Sequence, residues 1–269
     1  MRVVPTAEFA SLVHGFRGVD DDDPAEACHE ASRLYPHIAP GRLATLLALA
    51  RSPELQQTAA RSSRTHDHRP GIDLARDGLP RASFRRVLAG RRSSFAERRC
   101  PLPLRDLGAL LEAGYAAGLR APGVVRRPVP SGGALYPLEL YVLALGVEEI
   151  EPSVLHYNPF RHRLETLGSL DAGQAGAALV DPALVEGAAA IVVITAMFWR
   201  TRFKYGVRGY RFALLEAGHV VQNAVLAAAA LGLPALPVGG FYDRRLDDLV
   251  GADGLDEASV YALLLGGRG

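Results

Sequence analysis

Residues 209–231 form an unbroken alanine-rich stretch without proline, apolar almost all round. A helix with that pattern has no wide polar face to turn to water and is expected to be buried. The remaining chain must therefore wrap it. The material for doing so is visible. Residues 190–195 (AIVVIT) are a continuous apolar run suited to a central strand, and residues 138–145 (LELYVLAL) are strand-like. Residues 154–157 and 163–166 flank Asn158-Pro159, a turn dipeptide, and read as a hairpin. Val238 and residues 260–265 mark final strands. Helical spacing appears over residues 81–90, and from Leu104 through Leu107, Leu110 and Leu111 to Tyr115, fading at Gly118. The expected architecture is α+β: a mixed, mainly antiparallel sheet wrapped by helices, one long and buried.

Residues 1–80 read differently. Short amphipathic pieces such as residues 41–50 precede a polar stretch, residues 61–80, broken by Pro and Gly. Asp20 to Asp23 before Pro24 suggest a solvated turn ahead of a helix start. Residues 1–80 are thus an N-terminal helical and irregular extension with a linker, and residues 81–269 are the main domain.

Composition limits the function. With 49% hydrophobic and 22% charged residues and a formal net charge of +1, the chain is globular and has no basic face that rewards duplex nucleic acid. Two cysteines, Cys28 and Cys100, are too few for a disulfide scaffold or a cysteine-rich zinc site. The N-terminus lacks the apolar core of a signal peptide. Residues 224–236, the most apolar stretch, fall short of the roughly 20 residues a membrane helix needs. A cytoplasmic protein that engages no membrane is expected. No G-x-G-x-x-G follows a strand, and G-x-x-x-x-G-K-[ST], H-E-x-x-H and G-x-S-x-G are missing, so dinucleotide, P-loop, zinc-hydrolase and serine-elbow chemistries lose their fingerprints. No metal set is expected.

Lys and Arg together number 30, yet Lys204 is the only lysine. A chain that uses arginine wherever a generic cation suffices keeps an ammonium where a compact charge with a reachable neutral form is needed. Lys204 lies in Trp199-Arg200-Thr201-Arg202-Phe203-Lys204-Tyr205-Gly206, beside the single tryptophan. Neighbouring cations such as Arg202 and Arg208, and burial, would lower its pKa and suit it to act as a base. Tyr205 can donate or relay a proton. Elsewhere, Arg91-Arg92-Ser93-Ser94 offers forked and hydroxyl donors for phosphate, or a basic helix end. Residues 130–137 (PSGGALYP) let backbone N–H groups approach a flat ligand, or make a plain turn. Residues 237–241 (PVGGF) expose N–H groups at a strand end. Glu216, His219, Gln222 and Asn223 punctuate the long helix. Glu216, His219 and Asn223 fall on one face, which reads first as an internal network.

In this order the pieces resemble the SagB-type dehydrogenases, flavin enzymes of the nitroreductase superfamily: R-R-S, P-S-G-G-A-L-Y-P-L-E, H-Y-N-P, F-K-Y-G-x-R-G-Y-R, L-E-A-G-H-x-x-Q-N and P-V-G-G-F. Residues 27–33 (ACHEASR) are similar to that family's N-terminal His-Glu-x-Ser-Lys segment. The resemblance implies a nitroreductase-like sandwich, an intertwined homodimer, and FMN held at the subunit interface. Carried over by position, Arg91, Arg92 and Ser93 match the element that contacts phosphate and flavin. Ser131 and Gly132 match the segment that reaches the flavin from the partner chain, and Gly239 and Gly240 match backbone donors near N5. Arg268 matches a phosphate ligand, and Lys204 and Tyr205 match the catalytic pair. Phe95 departs from relatives that carry a basic residue there, and Arg98 stands near enough in sequence to replace it.

The implied activity is oxidation of a thiazoline or oxazoline in a ribosomally made modified peptide to the thiazole or oxazole, with a cyclodehydratase as a further partner. The alternatives are an NAD(P)H-dependent nitro- or quinone reductase, an oxidase of a carrier-bound thiazoline, and a non-catalytic partner of a cyclodehydratase complex.

Overall fold

A computed structural model of the chain describes residues 24–35, 52, 54, 63–76, 78–121 and 124–268. The expected helix of residues 41–50 and the acidic run of residues 20–23 lie outside them. Helix α1 (Pro24–Ala31) begins at the proline, whose missing N–H is harmless in a first turn.

Seven strands form one sheet: β1 (Gly71–Asp73), β4 (Leu138–Ala144), β5 (Ser153–Asn158), β6 (Arg163–Ser169), β7 (Ala190–Met197), β8 (Ala235–Val238) and β9 (Glu257–Leu265), while β2 (Gly118–Ala121) and β3 (Val124–Arg126) pair separately. The order across the large sheet is β1-β6-β5-β4-β7-β9-β8. Every neighbouring pair is antiparallel. The sheet is therefore not mixed, as the sequence suggested; the parallel bridge Leu102–Val147 lies outside it. The apolar run of residues 190–195 does sit centrally, in β7 between β4 and β9, and Asn158-Pro159 turns β5 into β6.

One face of the sheet packs Leu138, Leu140, Val142, Val192, Ile194 and Leu263 against α3 (Leu104–Tyr115) and α7 (Arg208–Leu231). The opposite face packs Leu143, Ile191, Val193 and Leu264 against α4 (Ala172–Ala177), α5 (Leu184–Gly187) and α8 (Asp243–Val250). Helix α2 (Phe84–Gly90) rests on α7 and buries no residue of its own.

Two expectations are corrected here. Helix α7 is long and apolar enough to cross a bilayer by length and composition, but Ala213, Ala217, Val220, Val221 and Ala224 bury one face of it in the core. Its other face is not buried: Leu215 is 61% exposed and Leu214 is 40% exposed, with no element among the described residues lying over them. Second, residues 61–80 are not only a linker. Residues 63–70 lie across the sheet as a strap, and β1 adds to the edge strand β6.

The strap seals charged groups on the sheet. Arg64 N–H donates to Glu139 Oε1 at 2.8 Å, and the Ser63 hydroxyl donates to Glu139 Oε2 at 3.0 Å. His66 N–H donates to Glu165 Oε2 at 2.8 Å. His156 lies between the two carboxylates, its Nε2 3.0 Å from Glu139 and its Nδ1 3.2 Å from Glu165. All three side chains are buried. Burial opposes charge on each, but hydrogen bonds and ion pairs prevail: the Glu139 and Glu165 carboxyls fall to about 2, and the flanking carboxylates raise His156.

Candidate functional site

Helix α6 (Trp199–Tyr205) follows β7 directly and ends at Gly206, whose φ of 58° closes the helix. It presents Lys204 and Tyr205 half-buried, with Lys204 Nζ 5.2 Å from the centre of the Tyr205 ring. The Tyr205 ring meets Phe212 of α7 edge-on at 4.9 Å.

Against this pair lies the loop of residues 130–137. A Cβ on Gly133 would stand 2.6 Å from Tyr205 Oη and 2.7 Å from Lys204 Nζ, and one on Gly132 would stand 3.0 Å from the Phe212 ring. Only glycine lets the backbone come this close. The loop is also bent: Gly133, Ala134 and Tyr136 have φ of 66°, 55° and 47°. Two of these are non-glycine residues in the left-handed region, a conformation that persists only where surroundings enforce it. The structure thus brings Ser131, Gly132, Lys204 and Tyr205 together, and adds Gly133, the second glycine of the pair that the sequence marked for close approach without naming it as a site residue.

A second cluster forms elsewhere. Ser94 N–H donates to Ala235 O at 3.0 Å, which runs the Arg91-Arg92-Ser93 segment alongside β8. Arg91 is half-buried, while Arg92 and Ser93 are exposed. Arg92, Gly90, Ser94, Val225, Gly232 and Pro234 line a cavity of about 270 Å³. Strand β8 leads to Gly239 and Gly240, both exposed, whose N–H groups have no backbone acceptor among the described residues. A Cβ on Gly239 would touch nothing within 4 Å. Arg268 is apart from these: its guanidinium pairs with Asp106 at 2.9 Å, at the start of α3. Phe95 is 57% exposed. Among the described residues no hydrogen bond or ion pair joins the Lys204 cluster to the Arg91 cluster.

The polar row on α7 divides. Glu216 is buried, His219 is exposed, and Asn223 donates to Ala113 O at 3.2 Å. The three share a stripe only loosely, and α3 covers the edge holding Glu216 and Asn223.

Comparison with known proteins follows from this geometry. A profile of the nitroreductase family matches residues 88–267. The chain belongs to the nitroreductase family. MJ1384 of Methanocaldococcus jannaschii, named for the nitroreductases, is 36% identical over 169 residues, 61% of this chain and 82% of that protein. The microcin B17-processing protein McbC of Escherichia coli is 34% identical over 150 residues, 54% of each chain, so the match spans about half of McbC. In structure, the E. coli McbBCD microcin synthetase with truncated pro-MccB17 bound superposes with a TM-score of 0.58 at 24% identity, covering 88% of this chain and 98% of that one. That likeness is one of fold.

Membership in the nitroreductase family makes the protein an FMN-dependent oxidoreductase, and the residues present fit FMN. Arg91, Arg92 and Ser93 supply cationic and hydroxyl donors of the kind that grip phosphate. Gly239 and Gly240 carry N–H groups with no backbone acceptor among the described residues, on a surface that no Cβ of their own obstructs. The glycine at residue 133 lets the backbone approach Lys204 and Tyr205. Among the described residues no cluster of His, Cys, Asp and Glu could hold a metal ion.

Proposed function

We propose that the protein oxidises a thiazoline or oxazoline in a ribosomally made, modified peptide to the aromatic thiazole or oxazole. The observation that carries the reading is the seating of the only lysine and Tyr205 against the Gly132-Gly133 backbone. The kinship with McbC, a peptide-processing protein, supports a peptide substrate.

FMN, when bound, supplies the acceptor for a hydride from ring Cβ. The protein's own groups handle the proton. The Lys204 amine removes the proton from ring Cα, and Tyr205 orients the amine or stabilises the charge that develops beside it. The N–H groups of Gly239 and Gly240 would supply fixed dipoles to a bound flavin. Arg91, Arg92 and Ser93 hold the phosphate, with Arg268 as a further phosphate ligand once released from Asp106. Aromatisation makes the overall step favourable.

The working unit is a homodimer in which each chain completes its partner's site. The two unconnected clusters support this, as does the apolar surface left by Leu214 and Leu215 of α7 and by Phe84 and Leu88 of α2. A modified precursor peptide and a cyclodehydratase are the further partners, by analogy with the bound pro-peptide in the McbBCD complex. The proposed location is the cytoplasm, and the proposed FMN-binding unit is residues 81–269.

The test is an absorbance spectrum of purified protein, before and after anaerobic NADPH, followed by an azoline peptide. Flavin bands that survive NADPH and bleach with the peptide support the proposal. Rapid bleaching by NADPH alone moves the assignment to a nitro- or quinone reductase. Bands that respond to neither reagent remove the azoline reading. Lys204→Ala should keep its flavin and lose turnover.

A further inference from the structure

Arg127 follows β3 directly and is 7% exposed, yet none of its three side-chain nitrogens has a hydrogen-bond partner among the described residues. Withdrawing a guanidinium from water without matching its donors is costly. What surrounds it instead is aromatic. Its guanidinium carbon lies over the rings of Tyr115, Tyr136 and Phe160, at 4.1, 4.8 and 5.6 Å from their centres. A desolvated cation is attracted to ring faces, and the flat guanidinium can lie against more than one of them.

Two of those rings hold the loop of residues 130–137. Tyr136 lies within the bend, 3% exposed and at a φ of 47°. Its Oη accepts Arg127 N–H at 3.3 Å, and its own N–H donates to Ser131 Oγ at 2.9 Å. Tyr115, from α3, meets the Tyr136 ring edge-on at 6.4 Å. Tyr115 Oη accepts Leu138 N–H at 3.2 Å, where the loop enters β4, and Tyr115 O–H donates to Glu216 Oε1 of α7 at 2.7 Å. One guanidinium therefore sits between the tyrosine inside the bend and the tyrosine at its exit. The backbone of the same arginine grips the first tyrosine a second time.

We propose that Arg127 is a positioning residue for the reaction: by clamping Tyr136 between its guanidinium and its N–H, it holds the bend of residues 130–137 and sets how closely the Gly133 backbone faces Lys204 and Tyr205. The proposal rests on the reading of Lys204 and Tyr205 as the reacting pair. Ala134 and Tyr136, at φ of 55° and 47°, keep a conformation that non-glycine residues hold only where their surroundings enforce it. Of the two, Tyr136 has the side chain by which the backbone can be held. Releasing its ring lets the bend relax towards negative φ. Gly133, three residues upstream, then loses its close approach to Lys204 Nζ and Tyr205 Oη. A displacement of about 1 Å at reacting groups is enough to lower turnover strongly.

Lys204 is the only lysine, so protein labelled with carbon-13 at the lysine ε-carbon gives a single side-chain NMR signal, which reports the surroundings of Nζ. FMN-loaded wild type, Arg127→Met and Tyr136→Phe are compared, with kcat and KM for an azoline peptide measured alongside. Arg127→Met keeps the stem and removes the charge and the plane; Tyr136→Phe keeps the stacked ring and removes the hydroxyl that accepts Arg127 N–H. In Arg127→Met the Lys204 signal should move by more than its linewidth, and kcat per bound flavin should fall about tenfold with KM within about threefold of wild type. Tyr136→Phe should move both readouts in the same direction and by less. A purely structural arginine would lower the melting temperature and leave the Lys204 signal and kcat per flavin as in wild type; either readout unchanged in Arg127→Met overturns the proposal. If that variant does not fold, Tyr136→Phe decides, and a Lys204 signal at the wild-type position overturns it. If wild type does not oxidise azolines, the substrate reading fails while the Lys204 signal still decides the role of Arg127.

Discussion

Arg200, in the first turn of α6, pairs with Glu139 of β4 at 2.6 Å, and both groups are largely withdrawn from water. The helix that carries Lys204 and Tyr205 is thereby fastened to the charged network under the strap. Arg200→Ala should destabilise the fold by about 2–3 kcal/mol, less than the full penalty for stranding a buried charge, because His156, Arg64 and Ser63 still hold the carboxylate. Thermal denaturation measures the loss, and turnover at a temperature where the variant remains folded measures the displacement of Lys204. A fall in kcat without a fall in flavin content is expected.

Gly133→Ala and Gly239→Ala should part company. At residue 133 the new methyl meets Tyr205 Oη and Lys204 Nζ, and the φ of 66° is strained for any side chain. Turnover should fall about tenfold or more, with a modest loss of stability. At residue 239 a methyl meets no protein atom within 4 Å. Melting temperature should be unchanged, and any loss should appear in FMN affinity, measured by fluorescence titration.

Lys204→Arg keeps a cation in place and replaces an amine that can accept a proton with a guanidinium that does not. Flavin content should match wild type, while azoline oxidation should fall nearly as far as in Lys204→Ala. An arginine variant with wild-type turnover would show that residue 204 contributes charge alone.

Stability against pH has two flanks with assigned origins. Glu139 and Glu165 fall to about 2 in the fold, so their contribution is present above their ordinary range and is lost as pH drops towards 2. For Glu139 the loss is about 3 kcal/mol. On the other side, Glu216 rises to about 7. A carboxyl that holds its proton more tightly when folded loses that stabilisation as pH climbs from its ordinary value through 7. His156, raised by its carboxylates, loses its share as pH rises through its folded value. Urea denaturation at several pH values should show greatest stability in the mildly acidic range, and Glu216→Gln should flatten the alkaline flank alone.

Much of this was legible in the sequence, for physical reasons. The apolar run of residues 190–195 could only be core, and the long alanine-rich run of residues 209–231 could only be helix, so β7 and α7 appear where the sequence puts them, though only one face of α7 is buried. The glycine pairs and the lone lysine signal close approach and unusual chemistry without any coordinates. What stayed hidden depends on pairing between distant segments. Gly71, Ile72 and Asp73 have no strand pattern, and β1 exists because β6 offers an open edge. Arg200 is one arginine among many until Glu139 is placed beside it. The polar residues of α7 announced a network, but only α3 decides that Glu216 is inside it and His219 is outside.

The strap also bears on how long the native state lasts. Its donors at Arg64 and His66 reach acceptors 75 and 99 residues away in sequence. Contacts so distant carry a heavy loop-closure entropy and belong to the late steps of folding, after the sheet already presents Glu139 and Glu165. Interactions made after the transition state leave the folding rate nearly untouched and act by slowing unfolding. Variants that loosen the strap are therefore expected to speed unfolding more than they slow folding, which would make it a latch on the lifetime of the closed sheet.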